Sequence, residues 1–370
     1  MFYWLYQWSL SLHYNIAWLN LAKYQTVRIA LALITAWIIA VSMGSRFINW
    51  MRTKQGKGQP IREDGPASHL LTKKGTPTMG GFMILAGIAG ATLLWGDLQN
   101  VSAMVVFAVT MIYGLLGFVD DYAKVTKQST AGLSGPQKLL AQIIVAAIAM
   151  VALIYCVPHS PNDPYLYQSV PFPFVKHYTW YLGLGIIGFG ILVILGASNG
   201  VNMTDGLDGL ATVPVMIAAA AFLIIAYVVG NVKFAAYLFE NHVPGSGEVA
   251  VICAAIIGGC MGFLWYNAPP AKIFMGDTGS LALGGGLGAA AVATKHEIVL
   301  AIVGGLFVLE SLSVMIQIGY FKLTKKRVFL MAPIHHHFEK LGWAESTIVV
   351  RFWIVAAMMA MAGLVTLKLR

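Results

Sequence analysis

The chain has 370 residues, of which 58% are hydrophobic and only 11% are charged. Soluble proteins carry about 25% charged residues, so this composition excludes a soluble globular protein and indicates an integral membrane protein. The net charge of +9 does not require a nucleic-acid partner, because basic residues commonly flank membrane helices on the cytoplasmic side.

Apolar stretches close to the roughly 20 residues needed to cross a bilayer recur along the whole chain. They predict an all-α, polytopic membrane protein with about ten transmembrane helices, forming one domain over residues 1–370. The stretch at 279–294 is the weakest, because it is short and glycine-rich, although small residues allow close helix packing. The ten stretches are 21–44, 76–95, 101–119, 137–157, 180–197, 209–230, 249–266, 279–294, 298–321 and 349–368.

Lysine and arginine are unevenly distributed over the loops between these stretches. One set of alternate loops, with its flanking helix ends, holds 17 of the 24 basic residues, and the opposite loops and both termini hold the other 7. An excess of basic residues marks the cytoplasmic side of a membrane protein. We therefore predict that the basic loops are cytoplasmic and that both termini lie on the opposite side. The basic loops are 45–75, 120–136, 198–208, 267–278 and 322–348.

Five polar clusters fall in or beside these basic loops. Because the loops were assigned from basic residues alone, the coincidence favours a site for a charged, water-soluble substrate at the cytoplasmic face. A secondary transporter, the alternative from another class, would concentrate polar residues near the midplane instead. The clusters read KKGTPTMGG (73–81), DDYAK (120–124), NGVNMTDGLDG (199–209), NAPPAKIFMGDTG (267–279) and APIHHHFEK (332–340).

Three of the clusters contain aspartates. Carboxylates gathered at a membrane boundary repel one another unless a cation or a proton lies between them, and hard oxygen ligands suit Mg²⁺. Any one of them could instead cap a helix, but three clusters on one face favour a metal site. The residues are Asp120, Asp121, Asp205, Asp208 and Asp277.

Other polar residues have more than one interpretation. Lys73 and Lys74 could anchor the adjacent helix at the cytoplasmic surface or bind a pyrophosphate. The three consecutive imidazoles at 335–337 point in different directions, so they cannot all bind one metal ion. Phosphate contact, proton transfer and a solvated cluster remain open for them. Glu310 lies inside the ninth stretch, where a charge costs about 2.5–3.5 kcal/mol on insertion scales, so it should face a cavity or a polar partner.

Five motifs, in this order, resemble the signatures of the phospho-N-acetylmuramoyl-pentapeptide transferase family. They are GTPTMGG, GFVDDY, NMTDGLDGL, FMGDTGSLALGG and MAPIHHHFE. This family belongs to the polyprenyl-phosphate N-acetylhexosamine-1-phosphate transferase superfamily, and the resemblance runs from about residue 46 to residue 370.

The resemblance implies an enzyme of peptidoglycan synthesis. Such an enzyme transfers phospho-N-acetylmuramoyl-pentapeptide from UDP-N-acetylmuramoyl-pentapeptide to undecaprenyl phosphate, giving lipid I and UMP, and requires Mg²⁺. It further implies a homodimer in the bacterial inner (cytoplasmic) membrane. Each chain would have ten transmembrane helices, periplasmic termini and an active-site cleft facing the cytoplasm.

The resemblance also assigns roles to residues. Asp277 corresponds to the Mg²⁺ ligand, and either Asp120 or Asp121 would bind the metal or deprotonate the lipid phosphate. His336 joins these aspartates among the expected catalytic residues. Lys73, with Lys74 as the neighbouring alternative, would hold the pyrophosphate. The other expected substrate contacts are Asn199, Asn202, Asp205 and Asp208 on the nucleoside side, Asn267 and Phe274 near uridine, and His335 and His337 near the phosphates or the sugar.

Two questions remain open at this level. Direct attack by undecaprenyl phosphate and a covalent phospho-aspartate intermediate both fit these residues, and we favour direct attack. A sister transferase that uses a different UDP-amino-sugar donor is the nearest alternative to the expected reaction.

Overall fold

The computed structural model describes residues 1–12, 19–55, 75–127, 132–158, 163–175 and 178–369. Within these ranges the chain is built almost entirely of helices, with one two-stranded antiparallel sheet. The helices are α1 (Phe2–Ser11), α2 (Gln25–Gln55), α3 (Gly81–Trp95), α4 (Val101–Lys127), α5 (Gly135–Tyr155), α6 (Ile186–Thr204), α7 (Thr212–Val229), α8 (Val232–Leu238), α9 (Gly247–Asn267), α10 (Gly276–Ala293), α11 (Glu297–Val303), α12 (Gly305–Thr324), α13 (Ile334–Lys340) and α14 (Glu345–Leu369). The strands are β1 (Ser169–Pro171) and β2 (Thr179–Tyr181), and short 3₁₀ helices occupy Leu19–Lys23, Leu166–Gln168 and Gly183–Gly185.

Eight of the described helices are long and apolar enough to cross a membrane: α2, α4, α5, α6, α7, α9, α12 and α14. The prediction of a polytopic helical membrane protein is therefore confirmed. The count of ten stays a prediction, because α3 has only 15 residues and the glycine-rich α10 does not meet the same criterion. The predicted stretch at 298–321 is divided at Gly304 into α11 and α12.

The glycine-rich helix α10 lies at the centre of the bundle, where every residue from Thr278 to Ala293 is buried. It packs against α3, α4 and α6. A side chain at Gly288 would stand 2.7 Å from the Cα of Ile194 on α6, so only glycine permits this approach. A helix surrounded by protein is held by close packing and needs no apolar surface toward lipid, so α10 can lie inside the bundle without the hydropathy of a membrane span.

The contact between α4 and α10 is equally close at the end that carries the polar loops. A Cβ atom at Gly117 would overlap the backbone of Asp277. The two helices therefore meet with their backbones nearly touching, one turn before the aspartate pair of α4. This packing brings the end of α4 onto the first turn of α10.

Candidate active site

Three aspartates from two helices meet at this junction. Asp120 and Asp121 lie near the C-terminal end of α4, and Asp277 lies in the first turn of α10. One carboxylate oxygen from each lies within 4.8 Å of the others, which is close enough for all three to hold one metal ion. Asp120 and Asp121 are buried, whereas Asp277 is half-buried.

Asp121 joins α4 to the N-terminus of α10. Its Oδ1 accepts a hydrogen bond from the backbone N–H of Asp277 at 3.1 Å. Its Oδ2 accepts from the N–H of Thr278 at 2.9 Å and from the Thr278 hydroxyl at 2.7 Å. A carboxylate at this position satisfies N–H groups that lack partners in the helix and complements the positive end of the helix dipole.

Gly276 makes this arrangement possible for two reasons. Its φ of +73° is in the left-handed region that side chains disfavour. A Cβ atom there would also stand 2.5 Å from Asp121 Oδ2 and 2.8 Å from the hydroxyl of Thr78. The motif FMGDTG thus needs glycine immediately before the aspartate so that Asp121 can reach the start of α10.

Two lysines neutralise the outer carboxylates. Lys124 Nζ lies 2.6 Å from Asp120 Oδ2 and 3.0 Å from Asp277 Oδ2. Lys138 Nζ, from the first turns of α5, lies 2.5 Å from Asp277 Oδ2 and 3.8 Å from Asp120 Oδ2. Burial alone would raise the pKa of Asp277, but the ammonium groups of Lys138 and Lys124 outweigh it and hold that pKa below its usual range.

Sequence reasoning quoted Lys124 within the DDYAK cluster and counted Lys138 among the basic residues beside the cytoplasmic loops, but it gave neither lysine a role in the site. The available signal for Lys124 was its position four residues after Asp120, which places both side chains on one face of α4. Lys138 reaches the site only through the packing of α5, so it had no comparable signal.

Asn202 also belongs to the aspartate cluster. Its Nδ2 donates to Asp277 Oδ1 and to the Ser280 hydroxyl oxygen, both at 2.8 Å. The amide therefore orients one oxygen of Asp277 while the lysines hold the other. Asn199, one turn earlier on α6, instead donates to Gln142 Oε1 of α5 at 3.2 Å.

Asp208 and Asn267 are buried and connect loops. Asp208 Oδ2 accepts from the N–H of Ala271 at 3.0 Å. Asn267 Oδ1 accepts from the N–H of Gly209 at 3.0 Å, and its Nδ2 donates to the carbonyl of Ile273 at 2.9 Å. These bonds fasten the α6–α7 loop to the α9–α10 loop.

The three histidines have three different partners. His335 is fully buried, and its Nδ1 lies 3.0 Å from Glu310 Oε2. His336 Nδ1 lies 2.5 Å from Glu339 Oε2, and His337 Nδ1 accepts from the N–H of Leu330 at 3.1 Å. The three imidazoles thus have separate hydrogen-bond partners, although the rings of His335 and His336 lie in contact with their centroids 4.1 Å apart. Glu310 has the polar partner that its place in an apolar stretch requires.

The remaining expected contacts lie beside the start of α10, at the end of α6 or outside the described residues. Phe274 is half-buried, and its backbone pairs with the GTPTMGG segment: its N–H donates to Pro77 at 2.9 Å, and its carbonyl accepts from Gly80 at 2.8 Å. Asp205 is half-buried at the C-terminal end of α6. Lys73 and Lys74 lie outside the described residues.

Comparison with known proteins connects this geometry to a family. The family model described as "Glycosyl transferase family 4" matches residues 103–295, a segment that contains all three clustered aspartates. Proteins from Caulobacter vibrioides (strain NA1000 / CB15N), Caulobacter sp. (strain K31) and Phenylobacterium zucineum (strain HLK1) are 65%, 63% and 62% identical to this chain. Each alignment covers 100% of both proteins, and each relative is named phospho-N-acetylmuramoyl-pentapeptide-transferase.

The chain belongs to the phospho-N-acetylmuramoyl-pentapeptide transferase family. It is therefore an enzyme of the transferase class. The motif resemblance, predicted from about residue 46 to residue 370, is confirmed, and the alignments extend the similarity over the whole chain.

The aspartate cluster has the chemistry that a hard divalent cation requires. Its potential ligands are carboxylate oxygens alone, which suit Mg²⁺ better than softer metals that prefer nitrogen or sulfur. Both oxygens of Asp121 already accept hydrogen bonds from α10, whereas the Oδ2 atoms of Asp120 and Asp277 share the ammonium groups of two lysines. The two outer carboxylates can therefore be released to a cation more easily than Asp121.

Proposed function

We propose that this protein transfers phospho-N-acetylmuramoyl-pentapeptide from its UDP-linked donor to undecaprenyl phosphate, releasing UMP and forming lipid I. The observation that carries the proposal is the cluster of three aspartates and two lysines at one end of a bundle of apolar helices. The names of full-length relatives that are 62–65% identical give the substrate class.

Asp277 and Asp120 would hold Mg²⁺ in this proposal. A cation held there would neutralise the pyrophosphate of the donor and assist the departure of UMP. Lys124 and Lys138, which pair with these carboxylates, would then be available to bind phosphate oxygens of the two substrates. Asp121 keeps the start of α10 in place, so that Asp277 presents its carboxylate to the cleft.

Direct attack by the lipid phosphate suits these carboxylates better than a phospho-aspartate intermediate. Asp120 Oδ1 accepts from the N–H of Leu133 at 2.7 Å and its Oδ2 pairs with Lys124, while both oxygens of Asp121 are bonded to α10. A nucleophilic Asp121 would have to give up one of its bonds to α10, and Asp120 is already assigned to the cation, whereas the lipid phosphate brings its own oxygen.

The distribution of basic residues supports the orientation that we propose. The aspartate cluster lies at the helix ends that adjoin the basic loops, so the site faces the cytoplasm and both termini are periplasmic. We further propose that the single domain of residues 1–370 has ten spans in the bacterial inner membrane and acts as a homodimer, as the motif resemblance implies.

Donor selectivity tests the proposal against the sister transferase. Purified protein in detergent is mixed with undecaprenyl phosphate, Mg²⁺ and either UDP-N-acetylmuramoyl-pentapeptide or UDP-N-acetylglucosamine, and release of UMP is followed. We expect product with the muramoyl-pentapeptide donor alone. Product from UDP-N-acetylglucosamine alone would identify a sister enzyme, and product from neither would contradict the proposed transfer.

A further inference from the structure

Glu310 and His335 form a polar pair inside the protein. Glu310 lies on the membrane helix α12 and His335 on the short helix α13, and neither side chain has any exposed surface. The distance of 3.0 Å between Glu310 Oε2 and His335 Nδ1 is that of a hydrogen bond. When Glu310 is ionised, the Nδ1–H group of His335 donates a hydrogen bond to a carboxylate that would otherwise be buried without a partner.

The other edge of the His335 ring faces the α6–α7 loop. A Cβ atom at Gly206 would overlap His335 Nε2. The φ of Gly206 lies outside the left-handed region, so the contact with the imidazole, and not the backbone conformation, requires glycine at this position. His335 therefore stands between Glu310 and Gly206 and touches both.

This contact connects two segments that the motif resemblance assigns to the donor. Gly206 lies between Asp205 and Asp208 in the NMTDGLDGL motif, and His335 immediately precedes His336 in α13. A substrate cannot contact a side chain with no exposed surface unless the loops first separate. His335 is therefore badly placed to touch the donor, in contrast to the role that the motif resemblance implied.

We propose that His335 is a positioning residue: with Glu310, it holds the Gly206 loop and α13 in the arrangement that binds the nucleotide-sugar donor. The inference rests on the proposed function, because the donor supplies the readout. It predicts that disrupting the pair weakens donor binding and leaves the chemical step largely intact.

Substitutions of the pair separate positioning from chemistry. His335→Ala and Glu310→Ala each remove a buried, charge-assisted hydrogen bond, and we expect the donor KM to rise roughly 10- to 100-fold with kcat within about threefold. Glu310→Gln keeps an acceptor for Nδ1, and His335→Asn keeps an N–H donor near the Nδ1 position. Both conservative variants should retain a donor KM within about threefold of the wild type. A residue that transfers protons to the substrate would instead lose kcat in His335→Asn.

A double-mutant cycle tests the contact with Gly206 independently of the hydrogen bond. Gly206→Ala places a methyl group against the imidazole, and we expect it to raise the donor KM about 10-fold. In the His335→Asn background the ring edge is absent, so Gly206→Ala should change KM less than about threefold. Gly196→Ala is the control, because no side chain and no atom of another element lies within 4 Å of that glycine's Cβ position on α6.

The experiment measures UMP release at saturating undecaprenyl phosphate for wild type and variants in parallel, with the unfolding temperature recorded for each sample. A raised donor KM in the alanine variants, its rescue in the conservative ones and non-additivity in the cycle would support the inference. If the wild type is active but the alanine variants lose kcat at unchanged KM, this inference is overturned and the proposed function stands. The same holds if the cycle is additive. An inactive wild type would overturn the proposed function and this inference together.

Discussion

Replacing Asp121 by alanine should destabilise the protein more than replacing either of the other clustered aspartates. Asp121 is buried and accepts three hydrogen bonds from the start of α10. Its loss leaves two backbone N–H groups and the Thr278 hydroxyl without their acceptor. Each bond to a charged group contributes about 1.5–3 kcal/mol. Relief of repulsion among the three carboxylates offsets part of this loss, which leaves a cost of about 4 kcal/mol.

That free energy corresponds to a measurable change in melting temperature. Unfolding entropy is about 2.1 cal/mol/K per residue, so a 370-residue chain has roughly 0.8 kcal/mol/K and its midpoint should fall by roughly 5 °C. Thermal unfolding in detergent, followed by tryptophan fluorescence, measures this shift. Asp97→Ala is the matched control, because Asp97 lies in a loop between α3 and α4 and accepts one hydrogen bond, from the Gln99 N–H. A midpoint for Asp121→Ala that falls no further than that of Asp97→Ala would refute the reasoning.

Three further predictions concern the same site. Gly276→Ala should lower the free energy of unfolding by about 2 kcal/mol, because its φ of +73° disfavours a side chain and a methyl group would press on Asp121; an unchanged unfolding midpoint would contradict this. Lys138→Met should raise the affinity for Mn²⁺ roughly 10-fold in an electron paramagnetic resonance titration, because an ammonium group 2.5 Å from Asp277 competes with the cation. Lys138→Met should also lower turnover. If this variant bound Mn²⁺ more weakly than the wild type, the metal would have to bind elsewhere. Asn267→Ala should cost about 1–3 kcal/mol of stability, because the buried amide joins two loops, and calorimetry or urea unfolding that shows no loss would disprove that role.

Hydrophobic patterning predicted the class of this fold but did not predict how each helix is used. A helix is present within each of the ten predicted stretches, yet only eight satisfy the length and hydropathy of a membrane span. Protein surrounds the glycine-rich α10, so it does not need the hydropathy of a membrane span, and the sequence of one helix does not specify its neighbours. The small residues of that stretch did correctly suggest close helix packing.

Polar residues were easier to locate than to interpret. The three aspartate-bearing clusters were predicted to share one face, and the structure brings Asp120, Asp121 and Asp277 together. The same residue type nevertheless serves two purposes here, since Asp208 fastens loops while Asp277 faces two lysines. The role of each aspartate depends on contacts with residues more than 60 positions away in the sequence. Such contacts follow from tertiary packing, which the local sequence does not specify.

The metal dependence of transfer tests the central claim most directly. Wild type and Asp277→Ala are assayed side by side with UDP-N-acetylmuramoyl-pentapeptide and undecaprenyl phosphate, with Mg²⁺ or with a chelator, and UMP and lipid-linked product are both quantified. We predict equal amounts of the two products from wild type with Mg²⁺, none with the chelator, and none from a folded Asp277→Ala variant. Transfer by wild type in the presence of chelator, or substantial turnover by Asp277→Ala at saturating Mg²⁺, would contradict the role proposed for the aspartate cluster.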